Sequence, residues 1–180
     1  MEHYYQTLGE DWFDFQGLYK RMVQKYDKAH FVEVGSWKGR SAVFLAVEIV
    51  NSGKKIVVDC VDTWEGSVEH SALPEVINKT LYETFLKNIQ CVRHIIHPVR
   101  LDSVQASGLY ADANLDFVFL DASHEYVDIK SDILCWLPKV KVGGTFAGHD
   151  IYFPGVDSAL KELLLGKYTV EGNSFAYELT

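Results

Sequence analysis

The 180-residue chain carries 17 basic and 25 acidic residues, a formal net charge of −8, with 48% hydrophobic and 23% charged residues. That balance is ordinary for one globular domain burying roughly 70% of its unfolded surface; it argues against a nucleic-acid backbone as partner and leaves a nucleotide-sized ligand open. No apolar run reaches transmembrane length, the start Met1-Glu-His-Tyr-Tyr is no signal peptide, and Cys60, Cys91 and Cys135 lack zinc-site spacing, so the expectation is a soluble cytoplasmic protein with reduced thiols and no membrane partner.

In chain order, Trp12 to Tyr26 is amphipathic at helical spacing. Phe31–Val34 is the first strand, and Arg40 to about Val50 is a helix stopped by Asn51-Ser-Gly53. Ile56–Val61 is the second strand, ending in Asp62-Thr-Trp-Glu-Gly66. Ser67 to about Glu75 is a polar loop or lid carrying Glu69 and His70, and Val76–Ile89 reads as a helix. A third, weaker strand covers Val92–Pro98, followed by Arg100-Leu-Asp-Ser103. Leu115–Leu120 is a strong strand ending at Asp121, Tyr126–Leu137 a helix closed by Pro138, and Lys141–Gly144 a turn. Thr145–Ala147 is a short strand ending in Gly148-His149-Asp150, Val156–Leu165 is the last helix, and Tyr168–Val170 with Phe175–Leu179 frames a hairpin.

Alternating strands and helices imply a parallel α/β sheet covered on both faces, with right-handed crossovers bringing the strand ends to one edge. Ligands bind at that edge, near the switch point in strand order. Polar or acidic groups end the strands: Glu33 with Gly35, Asp62, Asp102 with Ser103, Asp121, and His149 with Asp150. Their mutual repulsion is offset by cations, hydroxyls or a metal.

The loop Glu33-Val-Gly35-Ser-Trp-Lys-Gly39-Arg-Ser41 joins an apolar strand to a helix N-terminus. Its glycines permit close approach and unusual backbone geometry. The spacing fails the phosphate-binding G-x-x-x-x-G-K-[ST] pattern, and Trp37 occupies the second glycine position of a dinucleotide fingerprint. Glu33 suits a ligand with an ammonium, which an acid holds directly or through water. A plain strand–helix turn is the alternative reading of the loop alone.

The ordered set of Glu33–Ser41, Val61–Gly66, Asp116–Tyr126, Trp136–Gly144 and Ala147–Asp150 resembles the class I S-adenosylmethionine-dependent methyltransferases. The last three segments resemble, more narrowly, a small bacterial-type group akin to the macrolide-sugar O-methyltransferases. The resemblance implies a Rossmann-like, doubly wound seven-stranded sheet, mostly parallel with a reversed C-terminal strand. It implies one methyltransferase domain over 1–180, with an N-terminal helical segment over 1–30 and a lid over 65–80.

For the cofactor, the resemblance implies that Gly35, Ser36, Trp37, Gly39 and Ser41 carry the methionine part of S-adenosylmethionine, with Glu33 near its ammonium. Asp62 accepts the ribose hydroxyls, with Asp59, earlier in the strand, as rival. Thr63 and Trp64 flank ribose or adenine, and Asp102 and Ser103 sit by the adenine amine. Asp121 stands near the cofactor amino group in metal-free relatives. In metal-dependent relatives, acids at two strand ends hold a divalent metal such as Mg or Mn, here Asp121 and Asp150. His149 departs from the acid or amide that some relatives place beside Asp150, and histidine suits Mn²⁺, Fe²⁺ or Zn²⁺ better than Mg²⁺. His124, His149 or Asp121 then serves catalysis as base or ligand. The function implied is O-methylation of a small hydroxyl-bearing acceptor, metal-assisted or not. The alternatives are a non-catalytic cofactor-binding or scaffold protein of the same fold and, disfavoured by Trp37 and Glu33, a nicotinamide-dependent oxidoreductase. His30, His94 and His97 read as structural, and Tyr126 and Tyr152 as packing or as walls of the acceptor pocket. The short lid leaves the pocket open for a large acceptor or closed by a second copy in a homodimer. Trp12, Phe13 and Phe15 pack on their own sheet or form that dimer contact.

Overall fold

The computed structural model describes residues 1–10, 12–67 and 70–180. Its helices are α1 (Gln16–Lys25), α2 (Arg40–Ser52), α3 (Pro74–Ile77), α4 (Leu81–Asn88), α5 (Ser103–Ser107), α6 (Tyr126–Trp136) and α7 (Pro154–Leu164). The strands are β1 (Lys28–Val34), β2 (Lys55–Asp62), β3 (Ile96–Arg100), β4 (Leu115–Leu120), β5 (Val140–Gly148), β6 (Thr169–Glu171) and β7 (Ser174–Glu178). They form one seven-stranded sheet in the order β3-β2-β1-β4-β5-β7-β6. β7 runs antiparallel to both neighbours, and the pairs from β3 to β5 are parallel. The expected doubly wound sheet with a reversed C-terminal strand is therefore the fold. The strand order reverses between β1 and β4, which puts the switch point at the glycine loop.

Period-two alternation sorts the strand side chains into two cores. Phe31, Val58, Cys60, Phe117 and Phe119 face α1, α2 and α4 on one side. Val32, Val34, Val61, Val118 and Leu120 face α6 and α7 on the other. All three cysteines are unpaired. No helix among the described residues is long and apolar enough to cross a membrane.

Four expected elements shift. The N-terminal helix begins at Gln16 rather than Trp12, because Phe13 and Phe15 are both buried from an irregular stretch, stacked edge-on 4.7 Å apart. Both pack in this chain's own core. The helix expected over 76–89 is α3 and α4, broken at Lys79 (φ 56°), which lets Leu81 and Phe85 turn inward one helical turn apart. The third strand starts at Ile96, since Val92 is buried in a tight turn over Gln90–Val92; Pro98, lacking an N–H, is tolerated on this edge strand. The turn expected at Lys141–Gly144 lies inside β5, where Gly143 (φ +80°) makes an irregularity in the strand. Gly143 N donates to Leu179 O at 2.7 Å and Leu179 N to Gly144 O at 3.0 Å, and the register against β4 shifts between Leu115 and Phe117.

Candidate functional site

At the C-terminal edge, main-chain hydrogen bonds continue past the strands and lock the loops together. Gly35 N donates to Val61 O (2.8 Å), Asp121 N to Val34 O (2.8 Å) and His149 N to Leu120 O (3.0 Å). Gly35 has φ +90°, and a Cβ there would sit 2.0 Å from Asp121 O, so no side chain fits between the β1 and β4 ends. Gly39 (φ +82°) opens α2, and a Cβ would press on the Phe85 ring at 3.0 Å. Both glycines are required by neighbouring protein atoms as well as by backbone geometry.

Glu33 is buried at the base of this loop, and Tyr19 of α1 donates its hydroxyl to Glu33 Oε2 at 2.6 Å. Glu33 Oε1 and the Ser36 hydroxyl are buried without a hydrogen-bond partner. Ser36 and Ser41 lie near enough to bias the Glu33 carboxyl downward, but neither completes a bond of good geometry to Oε1. Burial dominates and pushes the Glu33 carboxyl up to about 7. An orphaned carboxylate oxygen beside an orphaned hydroxyl fits a ligand ammonium, which pairs the first and donates to the second.

Asp62 at the end of β2 shapes the main chain. Its Oδ2 accepts from Trp37 N at 2.8 Å and its Oδ1 from Trp64 N at 2.7 Å. Burial nevertheless raises its carboxyl above the ordinary value. Trp37 (φ 47°) and Trp64 (φ 52°) both hold left-handed backbone, and Asp62 is the group that steadies them. Asp59, the rival for the ribose role, is engaged by other side chains. It accepts from Tyr110 OH at 2.8 Å and meets His30 Nε2 at 2.7 Å and His97 Nδ1 at 3.2 Å, away from the edge.

Three residues expected at the cofactor have protein partners in the structure. The Trp64 side chain is 2% exposed, packs on Tyr82 and Phe85, and donates Nε1–H to Trp37 O at 2.8 Å, so its ring is core and presents no face to an adenine. Asp102 is the N-cap of α5, accepting from Val104 N at 3.0 Å and Gln105 N at 3.4 Å. Ser103 turns inward, donating to Asp132 Oδ1 at 2.6 Å and accepting from Trp136 Nε1 at 2.9 Å. Thr63 stays at the edge, where its Oγ1 accepts from Glu65 N at 3.2 Å. The Trp37 ring donates Nε1–H to Glu10 Oε2 at 2.9 Å and lies against His70 at 4.5 Å. Glu69 and part of the expected lid lie outside the described residues. The Lys38 ammonium, nearly buried, joins Glu10 and Glu75, both at 2.8 Å, and so ties the chain on either side to the loop.

On the far side of the switch point, Asp121, His149 and Asp150 each offer a ligand atom within 4.8 Å of the others. His149 Nδ1 lies 3.3 Å from Asp150 Oδ1 and 3.6 Å from Asp121 Oδ1, and its Nε2 lies 2.7 Å from Asp14 Oδ1. Burial alone would lower the His149 imidazolium, but Asp121 and Asp150 outweigh it and raise it to about 10. Asp121 is pushed up by burial, only partly offset by His149. Burial also works to raise Asp150, yet His124 and His149 hold it well below the usual carboxylate range. His124 Nε2 meets Asp150 Oδ2 at 2.8 Å, and its ring stacks on Phe153 at 4.1 Å. Asn173 of the β6–β7 turn donates to Asp150 Oδ1 at 2.8 Å. Two carboxylates and an imidazole this close make a donor set that fits one divalent cation of the Mn²⁺, Fe²⁺ or Zn²⁺ type. Tyr126 points elsewhere, bonded to Glu162.

Sequence reasoning missed Asp14, Tyr19 and Asn173. Asp14 had a faint signal, a single acid between Phe13 and Phe15; Tyr19 follows Phe15 at helical spacing and reads as core. Neither pattern names a partner.

A family profile described as a methyltransferase domain matches residues 32–151, from within β1 to the residue after Asp150. The uncharacterised protein y4gI of Sinorhizobium fredii is 27% identical over 131 residues, covering 72% of this chain; the chain spans 14% of that protein's length. Among solved structures, a putative caffeoyl-CoA O-methyltransferase from Staphylococcus aureus superposes with a TM-score of 0.69 at 13% identity, over 96% of this chain and 87% of that one. The O-methyltransferase NovP gives 0.66 at 12% identity, over 92% and 79%. The MycE methyltransferase of the mycinamycin biosynthetic pathway, in complex with Mg, SAH and mycinamycin VI, gives 0.63 at 15% identity, over 94% and 50%. At these identities the likeness is one of fold.

Proposed function

The chain belongs to the methyltransferase-domain family, and on that premise we propose that it transfers the methyl group of S-adenosylmethionine to a hydroxyl of a small acceptor. The observation that carries this reading is the orphaned pair of Glu33 Oε1 and Ser36 Oγ beneath the glycine loop. Ionised Glu33 holds the ammonium of the methionine part, with Oε2 fixed by Tyr19 so that Oε1 faces the ligand. Asp62 keeps the loop in the shape that receives the ligand and offers its remaining lone pairs to ribose hydroxyls. Asp121, His149 and Asp150 hold a divalent cation at the acceptor end, as the Mg in the MycE complex suggests by analogy of fold. Such a cation, when bound, lowers the pKa of an acceptor hydroxyl and orients it.

Methyl transfer is an in-line displacement from a sulfonium, already a good leaving group, so the protein's main task is alignment. The acceptor hydroxyl still has a proton to lose. We assign that proton to His124, whose contacts with Asp150 and the Phe153 ring support the role, and a positioned base of this kind contributes about 10²–10⁴-fold. Oxygen as the nucleophile is supported by the neighbours named O-methyltransferases and by the paired acids and imidazoles at this end.

Calorimetric titration with S-adenosylhomocysteine tests the reading. The expected result is micromolar binding, on the order of −8 kcal/mol, that Glu33→Gln weakens at pH 8. Absence of binding to the wild-type protein, with or without Mn²⁺, overturns it and returns the fold to a scaffold or a different cofactor.

A further inference from the structure

Asp14 lies in the irregular stretch just before α1, with its side chain largely exposed, yet its Oδ1 is 2.7 Å from His149 Nε2, a contact between residues 135 apart in sequence. His149 itself is buried, with its ring 4.9 Å from that of Phe15. The neighbours of Asp14 determine where it stands. Phe13 and Phe15 are both buried, and Phe15 packs 4.5 Å from the Phe119 ring of β4 and 5.0 Å from Tyr19. The acid between these two anchors is delivered to the β5 end whatever its own contact contributes.

The two ring nitrogens of His149 therefore face different groups, Nε2 toward Asp14 and Nδ1 toward Asp121 and Asp150. Which nitrogen of an imidazole carries a proton is set by the partner of the other. A carboxylate on the outer nitrogen of a ligating histidine fixes the tautomer and ring orientation and raises its basicity. We propose that Asp14 is a positioning residue for His149: it holds Nε2–H and leaves Nδ1 turned to the cation site, so that the segment before α1 completes that site. The inference rests on reading Asp121, His149 and Asp150 as cation ligands. The competing account is a tether, in which Asp14 merely fastens the N-terminal segment to the sheet.

The test uses the full chain, labelled with ¹⁵N-histidine, as wild type, Asp14→Asn, Asp14→Ala and Asp14→Glu. Mn²⁺ binding is followed by electron paramagnetic resonance. Imidazole ¹⁵N shifts and the attached ring-proton shifts, which report the Nε2–H bond to Asp14 in the imidazolium as in the neutral ring, are read without metal, with the His149 signals assigned by their loss in His149→Gln. S-adenosylhomocysteine titration monitors the other end of the site. The expected result is a Mn²⁺ affinity lowered about 10–100-fold in Asp14→Ala, less in Asp14→Asn, and partly restored in Asp14→Glu, with cofactor-product affinity unchanged. The metal-free ¹⁵N pattern of His149 changes in Asp14→Asn. An unchanged ¹⁵N pattern overturns the inference, as does unchanged Mn²⁺ affinity in a wild type that binds the ion. Loss of S-adenosylhomocysteine binding in the Asp14 variants also overturns it, in favour of the tether. A wild type that binds no Mn²⁺ sinks the cation reading instead, and the ¹⁵N pattern then still decides whether Asp14 sets the ring.

Discussion

At the β1/β2 side of the sheet edge a carboxylate shapes the main chain: Asp62 accepts from the backbone N–H groups of Trp37 and Trp64. At the β4/β5 side carboxylates and imidazoles meet one another. His149 faces Asp14, Asp121 and Asp150, and His124 pairs with Asp150. The first arrangement ties the glycine loop to the end of β2, and two unpartnered oxygens, Glu33 Oε1 and Ser36 Oγ, lie at the base of that loop. The second gathers side chains from three separate segments into a compact charged cluster. One side is suited to receiving a ligand along a fixed backbone; the other is suited to holding a cation and moving a proton. Gly35, pressed on the Asp121 carbonyl, joins the two.

That junction gives the strongest way to break the comparison. Gly35→Ala forces a Cβ to 2.0 Å from Asp121 O at a positive φ, and is expected to lower stability by about 5 kcal/mol. A urea midpoint unchanged from wild type would show that the two sides are not clamped there. Next, His124→Gln should cut turnover by about 10²–10⁴-fold while S-adenosylhomocysteine affinity stays within twofold, since His124 belongs to the β4/β5 side alone. A calorimetric loss of cofactor-product binding would contradict the separation. Asp62→Ala should do the reverse: it removes two charge-assisted bonds, destabilises by about 2–3 kcal/mol, and weakens S-adenosylhomocysteine with Mn²⁺ binding retained. Parallel titrations of both ligands check this.

The smaller effects sharpen the comparison. Glu33 has a folded value of about 7, above the ordinary carboxylate value of 4.5. The folded protein thus keeps this proton longer than the unfolded chain does. The stability that Glu33 contributes is complete below about 4.5 and is lost as pH rises to about 7. Ligand binding runs the opposite way, because the ammonium selects the ionised form. S-adenosylhomocysteine affinity should fall about fivefold between pH 7 and pH 6, and Glu33→Gln should flatten the profile. A flat wild-type profile would remove Glu33 from the ammonium site. The smallest effect is expected of Tyr126→Phe, whose hydroxyl bonds the exposed Glu162: a melting temperature indistinguishable from wild type and unaltered turnover. A large loss of turnover would place Tyr126 in the acceptor wall after all.

Legibility in the sequence followed the range of the interactions. Glu33, Gly35 and Ser36 were legible as one loop because strand, turn and helix follow one another within a few residues, and their periods and glycines show directly. Asp121, His149 and Asp150 were found as strand ends, and the parallel topology then brought them together. Trp64 and Ser103 were assigned to the ligand side because they stand in the right loops; the structure turns both inward. Trp64 turns because its left-handed backbone aims the ring at Tyr82 and Phe85, and Ser103 because Asp132 and Trp136 of α6 meet it there. Being in a loop is a property of local pattern, whereas facing the ligand depends on which distant side chains compete for the same space.

The sequence by itself determined the order of strands and helices, the glycine loop, and the acids that end β1, β2, β4 and β5, because hydrophobic period, turn residues and crossover handedness act over short separations. Tertiary structure alone decided that Asp14 reaches His149, that Tyr19 holds Glu33, and that Asn173 meets Asp150. Those pairs lie 135, 14 and 23 residues apart. What joins them is the packing of whole elements: aromatic anchors seat the N-terminal segment and α1 on the sheet, and the reversed β7 brings its hairpin turn to the Asp150 end of β5. No spacing rule along the chain encodes such contacts, since they exist only once both cores have closed.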